Sequence, residues 1–254
     1  MENEGLPINQ VYRSPWRTRD QQQQPQEEIL IIDEHQLHSF IFKIYSLAIT
    51  LCALSAIPWI ILSSLELEVE EKIAVPPWVW AVLAMILLTV LSCIPQTPNT
   101  TPICWALVIL CVFFITFFGA YYVHYQKVVV LVSCMLISVI LLVLLHFYGA
   151  KAPEVVLPNI LCTCCVVLFG MITMMTLMIL MLITRNVIYQ LALGIVIMII
   201  VISTAPIQAM YNCGRLNYVP INETAGCANA FYIHFVFGTA CMLLFAEFYK
   251  AVNT

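Results

Sequence analysis

Charge is what this sequence has least of. Asp, Glu, Lys and Arg make up only 9% of its 254 residues, against 62% hydrophobic residues. A soluble domain carries about a quarter charged residues, so a water-facing globule is excluded and a polytopic membrane protein remains. The net charge of -4 leaves no basic footprint for a nucleic-acid partner. Period-two alternation is missing from the long apolar runs, which excludes a β-barrel. Those runs also show no internal repeat of the kind that many transporters carry. There is no intramembrane serine with a paired base, no Asp pair and no His-x-x-x-His spacing. The chain therefore reads as no enzyme, with no cofactor and no metal site.

What is present is apolar sequence in seven runs, 40–62, 75–94, 102–123, 128–147, 156–183, 187–209 and 228–249. Each is near the ~20 residues that a helix needs to cross ~30 Å of hydrocarbon. Lipid offers backbone groups no partners, so each must be helical. The expected fold is an all-α membrane protein, a seven-transmembrane-helix bundle over 37–250. Ahead of it, 1–36 is a polar tail with Pro7, Pro15, Pro25 and the run 21–24 of glutamines. Its composition predicts disorder and a place where protein partners attach. No apolar core follows its first residues, and Glu2 and Glu4 are acidic, so neither a signal nor a transit peptide is expected.

The last run is the least lipid-like. Ala230, His234, Gly238 and Cys241 recur at helical spacing, setting small or polar side chains on one face. Ionisable groups at membrane depth normally face the protein interior or water, and this run carries His234 and Glu247. It is expected to be the central helix. Pro58 and Pro206 fall inside runs and predict kinks.

Six basic residues, Arg13, Arg17, Arg19, Lys43, Lys151 and Arg215, fall on the side of the tail, against Lys72, Lys127, Arg185 and Lys250. The positive-inside rule then places the N-terminus in the cytosol. The acidic loop Glu66, Glu68, Glu70 and Glu71 falls on the opposite side. Two sequons, Asn99 with Thr101 and Asn222 with Thr224, would be cytosolic and unglycosylated. Cys213 and Cys227 would likewise stay thiols.

Of the eleven cysteines, Cys52, Cys93, Cys104, Cys111, Cys134 and Cys241 lie in or at the ends of apolar runs and read as small hydrophobes. Cys162, Cys164 and Cys165 lack nearby partner ligands, and packing or acylation accounts for them better than a metal. Met171, Met174, Met178 and Met181, with Met175 beside them, form a stripe. Adaptable packing explains it, and a soft-metal path is the alternative. His124 and His146 lie near helix ends, where an interfacial role suffices.

The stretch Phe40-Ile41-Phe42-Lys43-Ile44-Tyr45-Ser46-Leu47 resembles the Phe-Ile-Arg-Lys-Val-Tyr-Ser-Ile opening of the Bax-inhibitor family, particularly its Lifeguard branch, with Phe42 in place of the usual Arg. The likeness continues through Gly119-Ala120-Tyr121-Tyr122. It includes Ala205-Pro206-Ile207-Gln208 against a family Phe-Asp-Thr-Gln, and Tyr232-Ile233-His234 against Tyr-Leu-Asp. The resemblance implies calcium leak or calcium homeostasis and regulation of apoptosis at an internal membrane, the endoplasmic reticulum or Golgi, with calcium ions as the partner.

The resemblance also implies a proton-sensitive latch of two facing Asp residues, but those positions hold Pro206 and His234. Two carboxylates sharing a proton sense pH, and Pro cannot ionise. Candidate pore or gating residues are therefore His234, Glu247, Pro206 and Gln208. Glu247 lies about 20 Å along the helix from His234 at ~1.5 Å per residue, so the two cannot form one latch. Loss of both acids makes a non-conducting membrane scaffold or cell-death regulator the alternative to a channel. A small-solute or metal transporter is third.

Overall fold

The computed structural model describes residues 12–13, 30–31, 34–65, 73, 75–94, 100–153, 157, 159–184, 186–216 and 219–253. Seven helices follow one another: α1 Glu34–Leu65, α2 Pro77–Cys93, α3 Thr101–Val123, α4 Val128–Lys151, α5 Ile160–Thr184, α6 Val187–Asn212 and α7 Thr224–Asn253. Among the described residues, the other regular elements are a 3-10 turn, Ile221–Glu223, and a parallel pair of two-residue strands, β1 Tyr12–Arg13 and β2 Leu30–Ile31. Six helices are long and apolar enough to cross a bilayer. At 17 residues, α2 sits at the lower end of the ~17–25 that a crossing needs. The chain is an all-α, multi-pass integral membrane protein. Most of the tail 1–36, the acidic loop and Asn99 lie outside the described residues.

The first helix starts earlier than its apolar run because Leu37, Phe40 and Ile44 share one face and bury against Val219 and Cys227. That contact puts the start of α1 at the end of the bundle where α6 stops and α7 begins. At the opposite end, Ser63 Oγ donates to the Gln126 carbonyl at 2.7 Å, and Gln126 Nε2 donates to Glu247. These bonds tie the end of α1, the α3–α4 turn and the end of α7 together. The Tyr121 hydroxyl donates to the Val75 carbonyl at 2.6 Å, which pins the start of α2 to the end of α3. The helices thus alternate in direction, α2 included, and α1 and α7 run parallel.

Helix limits have local causes. Proline stands in the first turn of α2 and α3, where its missing N–H costs nothing. Asn186 caps α6 by accepting from Ile188 N. Gly214, at φ 68°, closes α6: its N–H reaches the Tyr211 carbonyl and Arg215 N reaches the Met210 carbonyl, the two bonds of a Schellman motif. Both Pro58 and Pro206 are carried inside continuous helices.

The last helix is central: α7 packs against α6, α4, α1 and α3, whereas α2 rests on α3 and α5 on α6. Its small face does the packing. Gly238 meets Ser138 of α4, and Cys241 Sγ donates to the Gly194 carbonyl of α6 at 3.1 Å. Large apolar side chains such as Ile137, Leu144, Phe169 and Ile172 face outward, which is the surface lipid requires and water would not tolerate. Hydroxyls on the outer faces return to their own helix; Thr50, Ser133, Thr173 and Ser203 each donate to the carbonyl four residues back, which spares these donors from facing hydrocarbon unpaired.

Candidate functional site

A continuous relay of buried hydroxyls joins three helices at the middle of the bundle. Thr116 Oγ1 donates to the Val112 carbonyl at 2.7 Å, so it must accept from Ser55 Oγ, 2.6 Å away. Ser55 in turn accepts from the fully buried Tyr232 hydroxyl at 2.8 Å. The relay ends on a carbonyl with every hydroxyl proton placed, so it serves α1–α3–α7 packing and offers nothing to a ligand.

Two residues further along α7, the polar groups are not all satisfied. His234 lies about 15 Å in from Thr224 at ~1.5 Å per residue and is 8% exposed. Its Nε2 is 2.9 Å from Thr204 Oγ1 of α6. Since Thr204 donates its own proton to the Ile200 carbonyl at 2.7 Å, Nε2 is the donor and Nδ1 of the neutral ring carries the lone pair. That Nδ1 has no partner. His146 of α4, 6.2 Å away between ring centroids, donates from Nδ1 to the Leu142 carbonyl at 3.0 Å and leaves its buried Nε2 unpaired. Tyr45 and Phe231 pack edgewise around His146. Asn212 lies beside the Tyr45 hydroxyl and accepts from Gln208 Nε2 at 2.9 Å.

Of these groups, His234, Thr204 and Gln208 border a cavity of about 790 Å³ between α2, α5, α6 and α7. Thr204, Gln208, Tyr211, Glu223, Asn229 and His234 are polar lining groups on the side of α6 and α7, with Ser92 and Thr163 on the side of α2 and α5; among the described residues Glu223 is the one carboxylate in the lining, accepting from the Tyr211 hydroxyl. Asn229 is 3% exposed and its Oδ1 has no partner. No group of three or more His, Cys, Asp or Glu able to hold a metal occurs among the described residues.

Of the four expected site residues, two converge on the cavity, Gln208 and His234. Pro206 does not face His234: it is buried against Gly149 of α4, because two residues along a helix turn to the far side. The side chain opposite His234 is Thr204. Glu247 stands at the other end of the bundle, held by Gln126. His124, which caps the end of α3, and His146 are both buried in the bundle, at 8% and 5% exposure.

Thr204, His146, Asn212, Glu223 and Asn229 are the groups that sequence reasoning missed. A signal existed for some of them: Thr204, Gln208 and Asn212 recur every fourth residue in an otherwise apolar helix. The methionines Met174, Met178 and Met181 pack against the core, and Met175 faces outward. The cysteines 162, 164 and 165 are exposed at the start of α5, so they do not pack the interior. Cys213 and Cys227 are both free thiols. Burial pushes the Cys213 thiol up, against an opposing pull from Arg215 and Lys151.

No protein-family model, curated protein or solved structure matches this chain.

Proposed function

We propose that the protein is a divergent relative of the Lifeguard branch of the Bax-inhibitor family and acts, without catalysis, as a non-conducting regulator of calcium homeostasis and cell survival. It works at an internal membrane, the endoplasmic reticulum or Golgi, with its N-terminal tail in the cytosol as the contact for protein partners. One observation carries this choice over a calcium channel. The polar interior is uncharged: among the described residues no Asp, Glu, Lys or Arg side chain is buried, and His234 is met by the Thr204 hydroxyl. Cation pathways are built from carboxylate rings or from unwound backbone carbonyls. The midplane here offers neither, since α6 and α7 run through as unbroken helices.

The test is calcium efflux from liposomes holding the purified protein, between pH 5 and 8, against empty liposomes. Wild type is expected to match the empty control at every pH. Leak above that control, changing with pH, would make the protein a channel in spite of its uncharged interior. A companion variant, Thr204→Asp with His234→Asp, restores two acids at positions that do face each other. Leak confined to that variant identifies a channel scaffold whose latch has been lost. Pro206→Asp with His234→Asp is the control whose acids point to different helices.

A further inference from the structure

The eleven cysteines are spread unevenly over the molecule. Seven are buried or half-buried, and the four exposed ones, Cys93, Cys162, Cys164 and Cys165, all lie at the end of the bundle where α2 stops and α5 starts. Three of the four crowd into the first six residues of α5. That helix is 25 residues long, about 37 Å at ~1.5 Å per residue, against ~30 Å of hydrocarbon. A centred helix overhangs the hydrocarbon by about 4 Å at each end. Cys162 stands about 3 Å from the helix start and Cys165 about 8 Å, so these thiols straddle the boundary between headgroups and hydrocarbon.

Folding does not account for them. Exposed thiols do not pack the interior, and among the described residues no group of three side chains able to hold a metal occurs. They cannot pair with one another while α5 stays helical. Cβ atoms three residues apart are separated by roughly 5–6 Å, beyond the roughly 3.5–4.5 Å of a disulfide, and Cys164 and Cys165 point about 100° apart around the axis. The three thiols also differ in what they face. Cys164 borders the cavity beside Val167 and Met171. Cys165 shares an outward stripe with Leu161, Phe169 and Ile172, three or four residues apart, each of them exposed and away from the cavity lining. Cys162, one turn before Cys165, heads the same stripe. A chain attached at these two positions runs along apolar side chains into the membrane. Half the hydrocarbon thickness is about 15 Å, which a long acyl chain fills and a short one leaves open.

We propose that Cys162 and Cys165 form a fatty-acylation site, each carrying a long-chain acyl group in thioester linkage. Each thiol gives up its proton as its sulfur attacks the carbonyl carbon of a long-chain acyl-coenzyme A. The donor's carbon–sulfur bond breaks and coenzyme A leaves as a thiol with that proton, so nothing is oxidised or reduced. The acyl donor is cytosolic, so the inference rests on one element of the proposed function, the cytosolic N-terminus, which stands at the same end of the bundle as the start of α5. Two acyl chains there anchor a helix that packs chiefly against α6.

The experiment expresses the full-length protein in eukaryotic cells fed an alkyne-bearing palmitic acid. Label on the purified chain is read before and after neutral hydroxylamine, which cleaves thioesters, and the sites are mapped by mass spectrometry. Hydroxylamine-sensitive label on Cys162 and Cys165 is the expected result. Cys162→Ser with Cys165→Ser should lose the label from α5 and Cys164→Ser should keep it, both eluting and melting as wild type because the replaced groups face outward. Protease digestion of the tail in sealed microsomes reads the orientation separately.

No label together with a digestible tail would overturn the acylation and leave the orientation standing. No label together with a protected tail would overturn both. Label confined to Cys164 or Cys93, or label that resists hydroxylamine, would remove the site. If the double serine variant fails to fold, the site mapping on wild type still decides the proposal.

Discussion

The close approach of the central helix to α4 at Gly238 offers a quantitative test of the packing. A Cβ added at Gly238 would stand 2.3 Å from Ser138 Oγ, but 3.4 Å from Ser138 Cβ and 4.0 Å from its Cα. The obstacle to Gly238→Ala is thus one oxygen atom, on a residue that is fully buried. Overpacking of this kind costs about 1–3 kcal/mol. Ser138→Ala alone gives up only the long 3.4 Å contact to the Phe235 carbonyl, worth at most about 1 kcal/mol. In the double variant the two methyl carbons meet at 3.4 Å, an ordinary contact, and alanine is also the better helix former.

The double variant should therefore be more stable than Gly238→Ala, with a coupling of about 1–2 kcal/mol, inside the range seen for touching residues. Apparent melting temperatures in detergent, read by size-exclusion fluorescence, should fall by about 3–8 °C for Gly238→Ala. Most of that loss should be recovered in the pair. A Gly238→Ala protein that melts like wild type would mean that α7 does not approach α4 at this point. Failure of Ser138→Ala to rescue would place the clash elsewhere.

Four further outcomes follow from the packing and burial. At Gly149 an added Cβ meets backbone, 2.2 Å from the Pro206 carbonyl oxygen and 2.7 Å from its Cα, so Gly149→Ala should cost about 3 kcal/mol or more, with no side-chain rescue. Gly170→Ala, facing only the flexible end of Ile200, should melt within about 1 kcal/mol of wild type, since helix propensity offsets the crowding. Ile172→Lys places a charge on the outward face at the middle of α5 and should hinder insertion by about 2.5–3.5 kcal/mol, seen as a loss of membrane-integrated protein; full integration would mean that this face is not in lipid. Alkylation of Cys213 should run slower than that of a free thiol at pH 7.5 and gain on it as pH rises, because a raised thiol pKa means less thiolate at neutral pH; a rate equal to free cysteine at pH 7.5 would contradict the burial.

The sequence carried the fold further than the site. Runs of apolar residues report lipid directly, so seven helices were legible, and the four-residue rhythm of Ala230, His234 and Gly238 correctly marked the face on which α7 packs. Helix ends were less legible: α1 begins at Glu34 because Leu37 has a partner in Val219, far away in the chain. The site failed for a related reason. Aligning short motifs put Pro206 opposite His234, but a two-residue difference on a helix changes which neighbour a side chain meets, and Thr204 took that place. The burial of His146 was not legible either, because Tyr45 and Phe231 from two other helices close over it, contacts that no local pattern encodes.

Buried polar groups fall into two sets, those with a partner inside the chain and those without. Where a buried hydroxyl serves only packing, as in the Tyr232–Ser55–Thr116 relay, its proton has a destination within the protein. Gln126 and Glu247 likewise satisfy each other at the far end. Elsewhere the pattern breaks: among the described residues His124 Nε2 at the end of α3, His146 Nε2 of α4, Asn212 Nδ2 of α6, and Asn229 Oδ1, His234 Nδ1 and Thr239 Oγ1 of α7 are buried with no partner. Hydrocarbon penalises unpaired polar groups more than water does, so a membrane protein has more reason than a soluble one to close such gaps. These unpaired atoms, three of them on the central helix α7, are therefore the part of this molecule hardest to explain by folding alone.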